Sequence, residues 1–338
     1  MQKIAIINSS GKYSGIGRYS YDLSKILNSR LYTIVYDNKH DPYPGEVVRS
    51  FLPKLPGSYK LNMRFQNLIF KKFIDNVQKI EHNFIHYSSQ EIKPFNAIES
   101  SVTIHDILGI KGNNKVIKHN FNIYKKFKNI LSVSNHVKNQ LIDMGFDMDI
   151  KVIWPGIMNF YRLEDKSNLR KELNLPQDKI LLLSVSANRP RKNLGFIKNL
   201  IDGLGDKYML VRVGSPVGNS ITFTNVDDIA LNKIYNSCDI MVYPSTEEGF
   251  GYPMAEAFMT GLPVVASNIE IFREISGKAA YLCDLDTSNF KSGIQEVLNN
   301  KDYYINNSLE RSKVFNYNQY TANVLKYFES VATSYLRT

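Results

Sequence analysis

The sequence predicts an α/β protein built as two doubly wound domains, on three observations. Short apolar runs that end in Pro, Gly or polar residues alternate with helical patterns along the chain, as in β-α-β units. Loops rich in glycine or basic residues follow several of those runs, where an open parallel sheet binds its ligands. The 338 residues, 43% hydrophobic, are enough for two cores and too polar on average for a membrane protein. The expected boundaries are 1–157 for the first domain and 158–310 for the second. Residues 311–338 form a C-terminal helix that packs back on the first.

In the first domain, Lys3 to Asn8 is a strand, and Ser9 to Gly17 is a glycine-rich loop before a helix through Tyr21, Leu23, Ile26 and Leu27. The loop does not meet the G-x-G-x-x-G dinucleotide fingerprint, because Gly15-Ile-Gly17 runs into Arg18-Tyr-Ser20. Leu31 to Tyr36 is a second strand. Leu61, Phe65, Leu68, Ile69, Phe73 and Val77 then mark an amphipathic helix whose other face carries Lys60, Arg64, Lys71, Lys72 and Lys79. Phe84 to Tyr87 and Val102 to Ile104 are strands, the latter ending in His105-Asp106. In Lys111 to Lys128 the cations Lys115, Lys118, Lys125, Lys126 and Lys128 interleave with Phe121, Tyr124 and Phe127. Asn129 to Ser134 is a strand, Val133 to Val137 opens the next helix, and Lys151 to Gly156 closes the domain.

A polar stretch, Tyr161 to Asp178, reads as a linker to the second domain, whose first strand is Lys179 to Ser186. The loop after it sets Arg189, Arg191 and Lys192 at a helix start, and cations there can neutralise a phosphate. Tyr208 to Gly214 is a strand and Asp227 to Ser237 a helix. The organising stretch is Tyr243 to Asn268. A buried strand stops at Pro244, a Gly-Phe-Gly loop follows, and Pro253 opens the helical run Met254 to Met259, whose N-terminal N–H groups favour an anion. Glu248 and Glu256 bracket that anion position with the spacing E-x7-E. A carboxylate accepts several hydroxyl hydrogen bonds, so the layout suits a diphosphate with a diol on each side, as in a nucleotide-sugar. Further on come a short helix near Phe272, a strand at Ala280 to Cys283 and helices at Ser288 to Leu298 and Tyr317 to Tyr335.

Ser245 to Phe258, with Gly261 to Asn268, resembles the donor-binding signature of the retaining glycosyltransferases of family 4, which have the GT-B fold: two facing Rossmann-like doubly wound domains with a cleft between them. The resemblance implies transfer of a hexosyl group from a nucleotide diphosphate sugar to an acceptor hydroxyl, with retention and no metal or other cofactor. It implies that Glu256 holds the ribose diol, Glu248 the sugar hydroxyls, and Phe250 and Gly251 offer backbone N–H groups. Lys192 and Asn193 match the family's Lys-Asn pair at the diphosphate, with Arg191 beside them. The family's phosphate-binding Arg usually follows a Gly closing the strand; Ser186-Ala187 stands here, and Arg189 is the nearest substitute. In the first domain Gly15 and Gly17 resemble the Gly-Ile-Gly-Arg-Tyr loop that approaches donor and acceptor. His105 resembles the His that reaches the donor sugar. The loop carrying Asn225, Val226 and Asp227 takes the family's nucleobase position.

The net charge of +10 is uneven. Residues 1–150 carry 21 Lys and Arg against 12 Asp and Glu, or +9, and the remainder 21 against 20, or +1. An excess of that size on the acceptor side points to an anionic membrane surface or a lipid-linked glycan. A basic nucleic-acid or membrane-binding protein without activity, or a sugar-nucleotide epimerase, are the alternatives; the latter needs a complete dinucleotide fingerprint or an acid/base set, and neither is found. Asp147-Met-Asp149 and Asp284-Leu-Asp286 read as turns rather than metal ligands. Cys238 and Cys283 read as reduced core residues. With no spanning stretch and no signal pattern, the expected location is cytoplasmic, peripheral on the inner face of the membrane.

Overall fold

The computed structural model describes residues 4–11, 14–35, 46–49, 84–92, 100–111 and 115–335. The helix expected through Leu61 to Lys79 lies outside them. The chain divides into two compact units, Met1–Pro155 with Tyr320–Thr338, and Gly156–Gln319.

In the first unit the strands are β1 (Ile4–Asn8), β2 (Arg30–Val35), β3 (Glu46–Arg49), β4 (Phe84–Tyr87), β5 (Ser100–Ile104), β6 (Asn129–Ser132) and β7 (Ile150–Val152). They pair in parallel in the order β3-β2-β1-β4-β5-β6-β7. All five residues of β1 are buried, which explains the aliphatic run from Ile4 to Ile7: a central parallel strand is covered on both faces. The order reverses between β1 and β4, so the loops after these two strands diverge at a switch point. The basic stretch Lys111 to Lys128 starts at the end of one helix, Leu108–Lys111, and runs through another, Lys115–Tyr124. Its interleaved pattern separates by face. Phe121, Tyr124 and Phe127 are core residues, while Lys118, Lys125, Lys126 and Lys128 are exposed. The helix Tyr317–Tyr335 starts in the second unit and gives most of its length to the first, where Phe328 meets the His86 ring edge-on at 5.1 Å.

The second unit holds β8 (Ile180–Ser186), β9 (Tyr208–Gly214), β10 (Ile221–Phe223), β11 (Ile240–Tyr243), β12 (Val264–Ser267) and β13 (Ala280–Cys283). They are parallel, in the order β10-β9-β8-β11-β12-β13. The order reverses between β8 and β11. Leu182, Ile240, Val242 and Val265 of the sheet pack against Phe290, Ile294 and Val297 of the helix Thr287–Asn299. Absent from the sequence reading are β10 and the helices Lys166–Glu172 and Lys301–Ser312 of this unit, and β3 of the first.

The supposed linker is folded. Asp165 caps a helix, Lys166–Glu172, by accepting from the Ser167 N–H. From that helix Arg170 donates to Asp239 at 2.6 Å and to the Ser237 carbonyl at 2.8 Å, and Lys166 reaches the other Asp239 oxygen at 2.5 Å. The same carboxylate accepts the Leu181 N–H at 2.7 Å, which ties the helix to the start of β8 and β11. Burial would push the Asp239 carboxyl up, but Lys166, the Leu181 N–H and Arg170 hold it below its ordinary range. Breaking a buried pair leaves an uncompensated charge. Asp239→Ala should therefore lower stability in urea unfolding by about 3 kcal/mol, whereas a change of under about 0.5 kcal/mol would show that the hub holds nothing.

Candidate active site

The site of the second unit is assembled by the loops after β8 and β11, the two strands that flank its switch point. After β8, Pro190–Lys192 form one 3-10 turn, and Asn193 adopts a left-handed φ of 56° that lets the helix Leu194–Asp202 start at once. Asn tolerates that conformation where a β-branched residue would not. The turn aims Arg191 and Lys192 at the facing loop. There Glu248, 8% exposed, accepts from Arg191 at 2.6 Å on one oxygen and from Lys192 and the Tyr243 hydroxyl (2.9 Å) on the other. Arg191 also donates to the Glu247 carbonyl at 3.0 Å, and Thr246 N–H donates to the Arg191 carbonyl at 2.9 Å, so backbone and side chains both lock the loops together. Burial lowers the Lys192 ammonium below its ordinary pKa, and Glu248 opposes that shift. Burial would raise the Glu248 carboxyl, yet Lys192 and Arg191 outweigh it and hold the group low.

Next to this cluster begins the helix Tyr252–Met259. Gly251 sits at its N-cap with φ +99°, and a Cβ there would lie 3.2 Å from the Phe272 ring, so glycine is required for both conformation and space. Neither the Phe250 nor the Gly251 N–H has an acceptor among the described residues. The Phe250 ring is buried against Tyr252 and Phe315. Glu256, 1% exposed, accepts from the Tyr235 hydroxyl at 2.8 Å. Asp227 is an exposed N-cap that accepts from the Ala230 N–H at 2.8 Å. Arg189 is exposed too, and it is Arg191 that joins the carboxylate. Asp149 pairs with Lys151 at 2.7 Å and Asp286 caps the helix Thr287–Asn299. Cys238 is buried and Cys283 half-buried, both free.

Three residues of this neighbourhood escape sequence reasoning. Tyr243 and Tyr235 look like ordinary strand and helix core, and only the folded chain shows their hydroxyls on Glu248 and Glu256. Arg212 is a lone cation in the strand sequence YMLVRVG and is wholly buried.

The residues of the first unit cluster at its own switch point. Ser14 caps the helix Gly15–Ile26, accepting from the Gly17 N–H at 2.9 Å, and a Cβ on Gly17 would lie 2.1 Å from the Gly11 carbonyl oxygen. Gly15 opens that helix. His105, just beyond β5, is buried and donates from Nε2 to the Ser88 carbonyl at 2.8 Å, which leaves Nδ1 as a neutral acceptor suited to a hydroxyl. Tyr19 meets its ring edge-on at 4.8 Å. His86 lies deeper, between Ser101 at 2.7 Å and Thr103 at 3.1 Å.

With this geometry in place, comparison with known proteins is informative. Residues 179–300, which contain both loops of the Glu248 cluster, match the family described as Glycosyl transferases group 1. This part of the second unit is similar to the group 1 glycosyltransferases. The fold of the whole chain is GT-B. A sucrose-phosphate synthase from Thermosynechococcus elongatus superposes with a TM-score of 0.80 at 16% identity, over 99% of this chain and 100% of that one. Anabaena HepE in complex with UDP-glucose does so with a TM-score of 0.80 at 17% identity, over 98% and 100%. The O-antigen chain mannosyltransferase RfbU of Salmonella typhimurium is 28% identical over 197 residues, 51% of this chain and 52% of that protein. The chain spans about half the length of the curated relatives it matches.

The two histidines make the first unit acid-sensitive. Burial pushes His105 down to about 4, and burial with the neighbouring His105 pushes His86 down to about 3. Both folded values lie below the unfolded one, near 6.5, so the unfolded chain takes up protons first as pH falls. Stability is present above that value and lost below it. Between pH 7 and pH 5 each histidine should cost roughly 2 kcal/mol. Trp154, the chain's one tryptophan, reports the unfolding of this unit by fluorescence. His86→Asn and His105→Asn should each flatten the dependence, and a wild type equally stable at both pH values would refute it.

Proposed function

We propose that this protein transfers a hexosyl group from a nucleotide diphosphate sugar to an acceptor hydroxyl, with retention of anomeric configuration and without a metal ion. The observation that carries the proposal is the cluster at the β8/β11 switch point: two cations held by one buried carboxylate beside the unpaired Phe250 and Gly251 N–H groups. The family 4 resemblance supports retention.

In this reading the diphosphate lies on the two N–H groups and draws Lys192 and Arg191 toward it. As the bond from the anomeric carbon to the phosphate oxygen breaks, its electron pair stays on the diphosphate, and the cations stabilise the growing charge in place of a metal. The acceptor oxygen bonds to the anomeric carbon, and its proton passes to the departing phosphate oxygen. Glu248, relieved of its cations, turns its lone pairs to the sugar hydroxyls, and Glu256 takes the ribose diol. Nucleotide-linked mannose and UDP-glucose are the first donors to assay, since RfbU is named a mannosyltransferase and HepE was solved with UDP-glucose.

The acceptor is proposed to be a glycan presented at a membrane. No helix among the described residues is long and apolar enough to cross one, but Lys118, Lys125, Lys126 and Lys128 stay exposed on one segment while its aromatics face the core. Cations near anionic lipid contribute about 1 kcal/mol each.

Lys192→Ala should lower kcat by about tenfold or more while donor binding changes less, because the charge it meets grows in the transition state. The activity should persist in a chelator. Collapse of donor affinity at unchanged kcat would contradict the first expectation, and loss of activity in EDTA with rescue by manganese the second. Co-sedimentation should recover the wild type with anionic vesicles only, and a variant carrying Glu at positions 118, 125, 126 and 128 with neither kind; equal recovery on neutral vesicles would point to a soluble acceptor.

A further inference from the structure

The second unit buries two arginines among the described residues, and they differ in one respect. Arg170 has the Asp239 carboxylate as its counter-ion. Arg212, 0% exposed, has none. Its guanidinium donates to the Ser184 carbonyl at 2.8 Å, to the Val213 carbonyl at 2.6 Å, and to the carbonyl and hydroxyl (3.0 Å) of Ser186. All of these partners are neutral, and Nε has no partner among the described residues. A buried cation without an anion is costly to keep, because oriented carbonyls replace its hydration only in part. Burial accordingly pushes its pKa down to about 10.

Its place in the sheet indicates what balances the charge. Arg212 of β9 pairs with Ser184 of β8, and Gly214 with Ser186, so the guanidinium runs along the last residues of β8 to the point where the loop 187–193 begins. Gly214 has φ +124°, and a Cβ on it would lie 2.3 Å from the Ser186 oxygen and 3.2 Å from Nη2 of Arg212. The glycine therefore leaves the room the guanidinium needs. Four residues later the same loop carries Arg191 and Lys192, and Arg212 contributes to lowering the Lys192 pKa. With Glu248 cancelling one of those two cations, Arg212 brings the local charge to +2, which matches a diphosphate esterified at both ends.

We infer that Arg212 is a positioning residue of the anion site, a covered positive charge beneath the loop after β8 that is neutralised when a diphosphate binds above it. This rests on the anion-site reading of the second unit given above. Being wholly buried, it acts through the field and through the Ser184 and Ser186 carbonyls, without touching the ligand. It makes the loop attractive to a doubly charged group even while Glu248 holds Arg191 and Lys192.

The test uses inorganic pyrophosphate and isothermal titration calorimetry on the full chain, with wild type, Arg212→Gln, Arg212→Lys and Lys192→Ala. Arg212→Gln should bind pyrophosphate about tenfold more weakly or worse, about 1.4 kcal/mol. Arg212→Lys, which keeps the charge but cannot span the same carbonyls, should stay within about threefold of wild type although both variants melt at lower temperature. A purely structural residue would instead leave both variants with equal affinities. If Arg212→Gln is unfolded by circular dichroism, Arg212→Met replaces it beside Arg212→Lys: weaker binding in the uncharged variant alone supports the inference, and equal affinities overturn it. Wild-type affinity in a folded Arg212→Gln, with binding lost in Lys192→Ala, would overturn the role of Arg212 and leave the anion site standing. A wild type that does not bind pyrophosphate would remove the anion site and this inference together.

Discussion

The site of the second unit depends on one carboxylate. Glu248 is the point at which the loop after β8 and the loop after β11 meet, and its two oxygens receive Arg191 and Lys192 separately. Two cations so close would repel each other in a dry setting, where charges interact much more strongly than in water. The carboxylate makes their proximity tolerable and keeps them at the switch point of the sheet. Tyr243 completes the arrangement from the end of β11, its hydroxyl on Glu248 and its ring 5.3 Å from the Lys192 ammonium. The same pairing poses a condition for function. In the proposed function a diphosphate competes with Glu248 for cations that are already satisfied, so its binding would be an exchange of partners rather than the filling of empty donors. The N–H groups of Phe250 and Gly251 would help that exchange, because they have no acceptor among the described residues.

Two physical devices place those groups. Gly251 is the residue at which the chain leaves the loop and enters a helix in a left-handed conformation, with Phe272 packed where a side chain would be. Asn193 does the corresponding work after β8. They belong to the loops that follow β11 and β8, adjacent strands in the middle of the parallel sheet, so the sheet sets where both loops start. The first unit repeats the scheme with different chemistry. There the groups described above are a histidine kept unprotonated by burial, serine hydroxyls and a capped helix start.

What the sequence made legible follows the range of the interactions involved. The strands, Glu248, Lys192 and the glycine loop could be read because each is announced locally, by apolar runs, by Pro244 and Pro253, and by residues at fixed spacing. Arg212 could not, since nothing near it separates a buried guanidinium from an edge-strand cation; its meaning depends on the register that sets Ser184 beside it. Lys166–Glu172 looked like a linker because the burial of Arg170 is decided by Asp239, 69 residues away. The helix Lys301–Ser312 lacks an apolar stripe of helical period, with only Tyr304 and Ser308 buried, and so gave no signal. The aromatics of Lys115–Tyr124 and the residues after it read as surface partners of the lysines until their burial was known.

The central claim is that the switch-point cations change partners when a nucleoside diphosphate binds. A crystal structure of the chain with a bound nucleoside diphosphate tests it most directly. The account predicts phosphate oxygens within hydrogen-bond distance of the Lys192 ammonium and of the Phe250 and Gly251 N–H groups, with Lys192 moved off Glu248. A nucleotide bound elsewhere, with the Lys192–Glu248 pair intact, would contradict it.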